Sequence, residues 1–301
     1  MSNYVNVLLP FVPLGIIAGV LGWSPAAVFS LNFIAIIPLA AVLSFATEEM
    51  SIPLGETLGG LLNATFGNTV ELILYSILDS SDQHGKTESI LWHSRGTAVI
   101  LLILYALYLC FQLRTHKNLF SEGSGGTSSL DEEADEPESV MSPWSATAVL
   151  VAVTVVVSFC ADYLVGSIDS IAKDAHTSKS FIGLILIPIV GNAAEHATAC
   201  VMAVRNKMDL ATGVAIGSSI QIALLVTPLL VVLGWVINVP MGLNFNNLET
   251  VIFAVSVLVV TGTVQDGKSN YLEGAMLVGL YIIIALTFWA IPTGVLGKAA
   301  G

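Results

Sequence analysis

Nine apolar runs recur along the 301-residue chain, separated by polar segments. A run of about 20 apolar residues can cross the hydrocarbon core of a bilayer as one helix, and helices satisfy their backbone hydrogen bonds there. Charged residues make up only 11% of the chain, against about 25% in soluble domains. The sequence therefore predicts an all-α, polytopic membrane protein whose main partner is the lipid bilayer. The predicted spans are 5–21, 26–47, 61–78, 94–113, 146–165, 181–204, 211–236, 248–264 and 271–290.

Charge and cysteine usage exclude several functions. The net charge of −12 leaves no basic face for phosphates, so nucleic acid is not an expected partner. Cys110, Cys160 and Cys200 lie far apart in apolar segments, which favours buried packing residues over ligands or disulfides. No HExxH, GxSxG or paired catalytic Asp pattern occurs, so the sequence does not predict an enzyme. Lysine and arginine divide evenly between the two sides, so charge gives no orientation.

Two apolar runs contain the same polar phrase, Gly-Asn-x-x-Glu. It occurs once with Asn68 and Glu71, and again with Asn192 and Glu195. Residues three apart lie on one helical face, so each amide should point the same way as its carboxylate. Gly191 and a nearby proline should break the helix just before the second pair. An ionisable residue inside the membrane usually marks a functional site, so we expect the two glutamates to act together.

The segments around these phrases form an internal repeat. Residues 44–48 resemble residues 158–162, and each copy ends an apolar run with an acid, Glu48 or Asp162, before a Gly-Asn-x-x-Glu run. Three spans separate the copies, so they cross the membrane in opposite directions, as in inverted-repeat transporters with a site near the midplane. Glu48 and Asp162 are candidate gating residues, or else ordinary solvated acids at span ends.

One low-complexity segment divides the chain. Residues 118–142 contain Gly-Ser stretches and then an acidic run without Lys or Arg, which is typical of a solvated linker. The linker is either a plain connector or a regulatory segment that attracts cations. The sequence then predicts an extra N-terminal span in 1–25, a first repeat of three spans in 26–117, and a second repeat of five spans in 143–301.

Two carboxylates that face each other in a low dielectric repel, and they can be neutralised in two ways. Burial and a like charge both favour the protonated form, so the pair can bind protons. A hard divalent cation prefers oxygen ligands, which Glu71, Glu195, Asn68 and Asn192 offer. If the bare ionised state cannot cross, cation flux is coupled to opposite proton flux. Ca²⁺ fits better than Mg²⁺ or Zn²⁺. The alternative is that each glutamate is an ordinary interhelical hydrogen-bond partner.

Four further polar residues lie in the apolar runs of the second half. His196 could be a proton relay, a hydrogen-bond partner behind the ion's own ligands, or a packing residue. Ser218, Ser219 and Gln221 either permit close helix packing or line the path of the cation or of water.

These phrases resemble the calcium/proton exchangers of the cation/proton exchanger (CAX) family, in the calcium/cation antiporter superfamily. The similar segments are 59–72, 191–196 and 213–221, and the wording is most similar to fungal vacuolar members. The resemblance implies an inverted-repeat exchanger that moves Ca²⁺ against H⁺ across the vacuolar membrane, with Glu71 and Glu195 as the ion-carrying pair. It implies a cytosolic linker and no cofactor besides the transported ions. A homo-oligomer, and exchange of Na⁺, K⁺ or Mn²⁺ instead, remain open.

The resemblance also implies eleven spans, two more than the sequence provides. Glu195 lies 78 positions before Glu273 at the start of the last span, whereas Glu71 lies only 24 positions before Arg95 at the start of the fourth. The difference of 54 positions corresponds to about two spans of ~20 residues with their loops. The segment lacking from the first repeat includes the counterpart of residues 217–221.

We expect this shortening to reflect a splice variant or a gene-model error, and a non-transporting form is the alternative function. Residues 79–92 mark the junction, since they have no counterpart in the second repeat. Sequencing the transcript tests the expectation. Reads that restore about 54 codons after Leu78 would show that the chain lacks part of its natural sequence, and reads without them would show that the short repeat is genuine.

Overall fold

The computed structural model describes residues 5–52, 67–81, 88–116 and 141–290. Within these ranges the chain is helical and contains no β-strand, which confirms the all-α prediction. A 3₁₀ turn, Val5–Leu8, precedes the first α-helix. The helices are α1 (Phe11–Val20), α2 (Pro25–Ser51), α3 (Thr69–Ser81), α4 (Glu88–Thr115), α5 (Pro143–Asp174), α6 (Lys179–Gly191), α7 (Ala193–Val204), α8 (Met208–Val236), α9 (Asn247–Val264) and α10 (Tyr271–Ala290).

Six of these helices, α2, α4, α5, α8, α9 and α10, are long and apolar enough to cross a membrane. The predicted span 181–204 is a bent pair, α6 and α7, whose axes differ by 57°. The first predicted span is a shorter apolar segment, Val5–Val20. The third predicted span, 61–78, lies partly outside the described residues.

Both helices continue beyond the acids that lie near the ends of the predicted spans 26–47 and 146–165. Glu48 lies in the last turn of α2, which runs to Ser51. Asp162 lies well inside α5, which continues, with a turn at Ser167, to Asp174. The acids did not stop the helices because a charged side chain at the membrane edge can remain solvated while its backbone stays helical.

Serine caps fix the starts of the two helices that form the centre of the molecule. Ser24 precedes α2 and its Oγ accepts a hydrogen bond from the Ala27 N–H at 3.4 Å. Ser142 precedes α5 and accepts from the Ser145 N–H at 3.3 Å. A proline follows each serine as the first helical residue, where its missing N–H costs no intrahelical bond. The Ser-Pro pairs therefore set where both helices begin.

The main core lies where α2 packs along α5, with α1, α3 and α6 against the pair. Ile36 and Leu43 of α2, Leu164 of α5 and Ile182 of α6 are fully buried in it. Val70 of α3 joins the same cluster. This packing holds α3 and the end of α6 together, and these are the segments that carry the two Gly-Asn-x-x-Glu phrases.

Two glycines let α1 approach its neighbours. The Asn32 Nδ2 in α2 donates to the Gly15 carbonyl at 3.1 Å, and a Cβ on Gly15 would lie 2.7 Å from the Asn32 Oδ1. A Cβ on Gly19 would lie 2.5 Å from the ring of Tyr163 in α5. Both contacts are too close for any larger residue, so these glycines fix α1 against the core.

We expect Gly19→Ala to destabilise the protein by about 1–3 kcal/mol, because the added methyl group overpacks the contact with Tyr163. Gly96→Ala in α4 is the matched control, since nothing lies within 4 Å of a Cβ there. The measurement is the free energy of unfolding of both variants in detergent. Equal stabilities of the two variants would contradict the close packing of α1 on α5.

Candidate ion-binding site

Both Gly-Asn-x-x-Glu phrases lie at the N-terminal end of a helix. The backbone carbonyls of Asn68 and Asn192 accept the first helical hydrogen bonds of α3 and α7, each at 3.0 Å. Glu71 and Glu195 lie in the first turns of those helices. The start of a helix carries a partial positive charge that stabilises a nearby carboxylate. The two copies of the phrase therefore have the same local structure: an Asn cap followed by a Glu in the first turn.

Asn192 lies at the junction between α6 and α7, three residues before Glu195. Its backbone, with φ −92° and ψ 21°, lies outside both α6 and α7. Its side-chain Nδ2 donates to the Pro188 carbonyl of α6 at 3.0 Å. The chain bends by 57° here, so the break predicted from Gly191 and Pro188 is confirmed. Asn192 thus links the two sides of the bend through this hydrogen bond.

The packing of α3 against the end of α6 brings the two acids together. A Cβ on Gly191 would lie 3.6 Å from the Glu71 Oε1, so the carboxylate rests against the backbone of the bend. Glu71 is 8% exposed, and its carboxylate lies close enough to Glu195 for their charges to interact. The carboxylate of Glu71 therefore packs on the bend from which α7 begins, and Glu195 lies in the first turn of that helix.

Each acid has one oxygen whose hydrogen-bonding capacity is unused. The Oε2 atoms of Glu71 and Glu195 are buried and have no hydrogen-bond partner within the described part of the chain. Most buried polar side-chain atoms in proteins do have a partner. The alternative of two fully satisfied interhelical hydrogen-bond partners does not account for these oxygens. A proton or a cation would satisfy them.

Gln221 of α8 is the path-lining candidate that contacts the site. Its Oε1 accepts a hydrogen bond from the Asn68 Nδ2 at 2.9 Å, across 153 positions of sequence. Ser219 is exposed and donates within its own helix, to the Ala215 carbonyl at 2.9 Å. Ser218 is partly exposed. This hydrogen bond between two side-chain amides joins Asn68, which precedes α3 in the first half of the chain, to α8 in the second half.

Three other candidates lie on exposed surfaces. His196 follows Glu195 on α7 but is exposed, and Glu48 and Asp162 are exposed on α2 and α5. In the ranges that the structure covers, no three His, Cys, Asp or Glu side chains cluster closely enough to hold a metal. A cation at this site would therefore bind to two carboxylates supplemented by amide or backbone oxygens.

The cysteines are only partly as expected. All three are free, and Cys160 is buried in the core as predicted. Cys110 and Cys200 are exposed, which corrects the expectation that all three are buried packing residues. Their apolar neighbours in sequence also lie on exposed helix faces, so a hydrophobic run alone does not distinguish a lipid-facing position from a core position.

Glu49 is a buried acid that the sequence analysis missed. It is only 5% exposed, and its Oε2 accepts a hydrogen bond from the Met141 N–H at the end of the linker, at 2.8 Å. The helical period could have predicted this burial, since Glu49 falls three residues after the buried Ala46 and continues the buried face of α2. Glu49 thus ties the start of the second half to the end of α2.

Comparison with known proteins identifies the family. Residues 145–290 match the sodium/calcium exchanger protein family. The chain is 44% identical to the "Vacuolar calcium ion transporter" of Schizosaccharomyces pombe over 360 aligned positions, which cover 97% of this chain and 86% of that protein. It is 36% identical to a "Ca(2+)/H(+) antiporter" of Aphanothece halophytica over 358 positions, 95% and 96% of the two chains. Both alignments are longer than the 301-residue chain, so both relatives contain residues that this chain lacks.

The fold also matches solved structures. The native YfkE structure superposes with a TM-score of 0.75 and 30% identity, covering 95% of this chain and 100% of that one. A second, selenium-substituted structure of the same protein, described as a Ca²⁺/H⁺ antiporter, matches equally well. The "Vacuolar cation/proton exchanger 1" of Arabidopsis thaliana is 34% identical over 96% of this chain and 78% of its own length. The chain therefore is an integral membrane protein of the cation/proton exchanger family.

Proposed function

We propose that this chain exchanges Ca²⁺ for H⁺ across the vacuolar membrane, with Glu71 and Glu195 alternately carrying the cation and protons. The observation that carries the proposal is the pair of neighbouring carboxylates, each with a buried oxygen that lacks a hydrogen-bond partner in the described ranges. The names of the relatives support both the transported ions and the vacuolar membrane.

Electrostatics explains why the exchange would be coupled. Two unit charges 4 Å apart at an effective dielectric constant of 20 repel by about 4 kcal/mol, which is roughly a thousandfold in population. At such a separation the pair of bare carboxylates would be rare. Protonation or a bound dication removes the repulsion, and one excludes the other because both occupy the same oxygens. Only the two neutralised states would then cross, which couples Ca²⁺ to H⁺.

The ligand set fits a hard cation. Ca²⁺ takes six to eight oxygen ligands, and side-chain oxygens of Glu71, Glu195, Asn68 and Asn192 would supply several of them. The Asn192 amide nitrogen already donates to its own chain, so its oxygen is the group that would turn to a cation. The helix starts carry positive partial charge, so the carboxylates alone attract the cation. Protonating them would therefore release it.

The repeat organisation assigns half of the site to each half of the chain. We place α3 in the first repeat, 26–117, and α7 in the second, 143–301. His196 adjoins Glu195 and is exposed, so it suits a proton relay between the site and water. Glu48 and Asp162 would act as gates only from the surface.

A non-transporting form is the second candidate. The relatives are longer than this chain over the aligned region, and the first repeat is 54 positions shorter than the second between matched points. The first repeat therefore lacks the counterpart of the polar residues in 217–221. A protein that folds and binds Ca²⁺ without moving it would fit this observation.

We expect Glu71→Gln and Glu195→Gln each to reduce proton-gradient-driven ⁴⁵Ca²⁺ uptake into vesicles at least tenfold. Each change removes a carboxylate charge while preserving its size and hydrogen-bonding shape. Glu88→Gln, at the exposed start of α4, is the matched control and should transport normally. Uptake that survives either site change would refute the proposed ion pair. A folded parent chain without uptake would favour the second candidate.

Lowering the pH should weaken Ca²⁺ binding, because protons compete for the same carboxylates. If both acids must lose a proton, the apparent dissociation constant should rise up to about a hundredfold per pH unit of acidification. Equilibrium ⁴⁵Ca²⁺ binding to the purified protein at several pH values measures this dependence. Glu195→Gln should flatten the slope, and an unchanged slope in that variant would argue against competition at this site.

The hydrogen bond between Asn68 and Gln221 should contribute to stability across the repeats. A double-mutant cycle with Asn68→Ala and Gln221→Ala should give a coupling energy of about 0.5–1.5 kcal/mol in unfolding without Ca²⁺. The control cycle pairs Asn68→Ala with Ser219→Ala, whose hydroxyl bonds within its own helix. That cycle should give no coupling. A coupling energy no larger than that of the control cycle would mean that the hydrogen bond between Asn68 and Gln221 does not contribute to stability.

A further inference from the structure

An arginine lies between two tryptophan rings where α4 packs against the end of α8. The two helices contact each other through apolar residues that include Ala98 and Leu230. One turn before Ala98, the Arg95 Cζ lies 5.6 Å from the centroid of the Trp92 ring and 5.1 Å from that of Trp235. The two rings meet edge to face, with their centroids 5.9 Å apart. Cation–π attraction from both helices therefore fixes the position of the guanidinium.

This arginine lies at one edge of the hydrocarbon region that α4 crosses. The next basic residue along the helix is Arg114, near its other end, and no charged residue lies between Arg95 and Arg114. Their separation of 19 positions corresponds to ~28 Å along an α-helix, close to the ~30 Å thickness of a bilayer core. Tryptophans are also enriched at the level of the lipid headgroups. Arg95 is therefore at headgroup level, on the side of the membrane opposite to the linker 118–142.

The guanidinium has hydrogen-bond donors that the described residues do not use. The ion pair found in the described ranges joins Lys179 to Asp169, and Arg95 has neither an ion pair nor a hydrogen bond there. The acid that shares its face of α4 is Glu88, which is exposed and lies two turns away, ~10 Å along the axis. Stacking on aromatic rings uses the flat faces of a guanidinium and leaves the N–H groups at its edge available. Such a fork of donors matches a phosphate group.

The same face of α4 becomes apolar and open toward the centre of the membrane. Val99 and Ile103 follow Arg95 at helical spacing, and they are 41% and 55% exposed. Gly96 is exposed beside Arg95, and a Cβ there would meet nothing within 4 Å. A phosphate bound at Arg95 would therefore have room below it for an acyl chain. A free phosphate ion would leave this apolar strip uncovered.

We infer that Arg95, Trp92 and Trp235 form a binding site for an anionic phospholipid, whose phosphate accepts hydrogen bonds from Arg95 and whose acyl chain lies along Val99 and Ile103. Charge complementarity selects an anionic lipid, because the ammonium group of a zwitterionic lipid would offset the attraction of its phosphate to the arginine. Basic sites between membrane helices bind anionic headgroups in this way. The lipid would link α4 to the end of α8. This inference goes beyond the proposed exchange and does not depend on it.

Quenching of tryptophan fluorescence by brominated lipids tests the site. Trp23, Trp144 and Trp289 are exposed and are first replaced by Phe, which leaves Trp92 and Trp235 as the only reporters. The full chain is then placed in phosphatidylcholine vesicles that contain increasing fractions of brominated phosphatidylglycerol or brominated phosphatidylcholine. The apparent association constant for phosphatidylglycerol should exceed that for phosphatidylcholine at least threefold. Equal constants for the two lipids would overturn the inference.

Two matched variants then assign the preference to Arg95. Arg95→Gln should remove it, because the change takes away the positive charge and most of the donors while both reporter rings remain. Arg114→Gln is the control, since it removes the same charge from an exposed position near the other end of α4. That variant should keep the preference of the parent chain. Retention in Arg95→Gln, or an equal loss in both variants, would overturn the assignment to this site.

A soluble headgroup distinguishes a lipid from a free anion. Glycerol phosphate carries the same phosphate chemistry without acyl chains. At millimolar concentration it should leave the quenching by brominated phosphatidylglycerol unchanged, because it cannot cover the apolar strip of Val99 and Ile103. Relief of the quenching by glycerol phosphate would assign Arg95 to a water-soluble phosphate compound and would overturn the lipid assignment.

Discussion

An ionised carboxylate loses several kcal/mol of hydration when it leaves water, and this chain buries Glu71 within range of the charge of Glu195. Every other feature of the site follows from that placement. The repulsion between the charges disfavours the bare pair, while the buried Oε2 atoms of Glu71 and Glu195 lack partners among the described residues. Such a pair is stable only with protons or a cation, and exchange of one for the other is the function that this constraint favours.

Helix breaks are how the fold holds these acids. Asn68 and Asn192 each cap a helix whose first turn carries the glutamate, so the partial positive charge of the helix start faces the carboxylate. The glycine before Asn192 lets the backbone of one repeat touch the acid of the other. The hydrogen bond that the Asn68 amide donates to Gln221 then links the start of α3 to α8. The glutamates and asparagines of the site thus lie at the ends of helices rather than along their sides.

The asymmetry between the repeats has a visible consequence. The second repeat supplies α8, which reaches across to Asn68, while the chain contains no counterpart in sequence that could reach Asn192.

The sequence alone determined the helical membrane class and the break near Gly191, because apolar run length and helix-breaking residues are local signals. Only the tertiary structure decided that Asn192 caps a bend, that Gln221 rather than Ser218 or Ser219 reaches the site, and that Glu49 is buried while Glu48 is exposed. Those outcomes depend on which helix packs against which, and residues adjacent in sequence face opposite neighbours once the helices are packed.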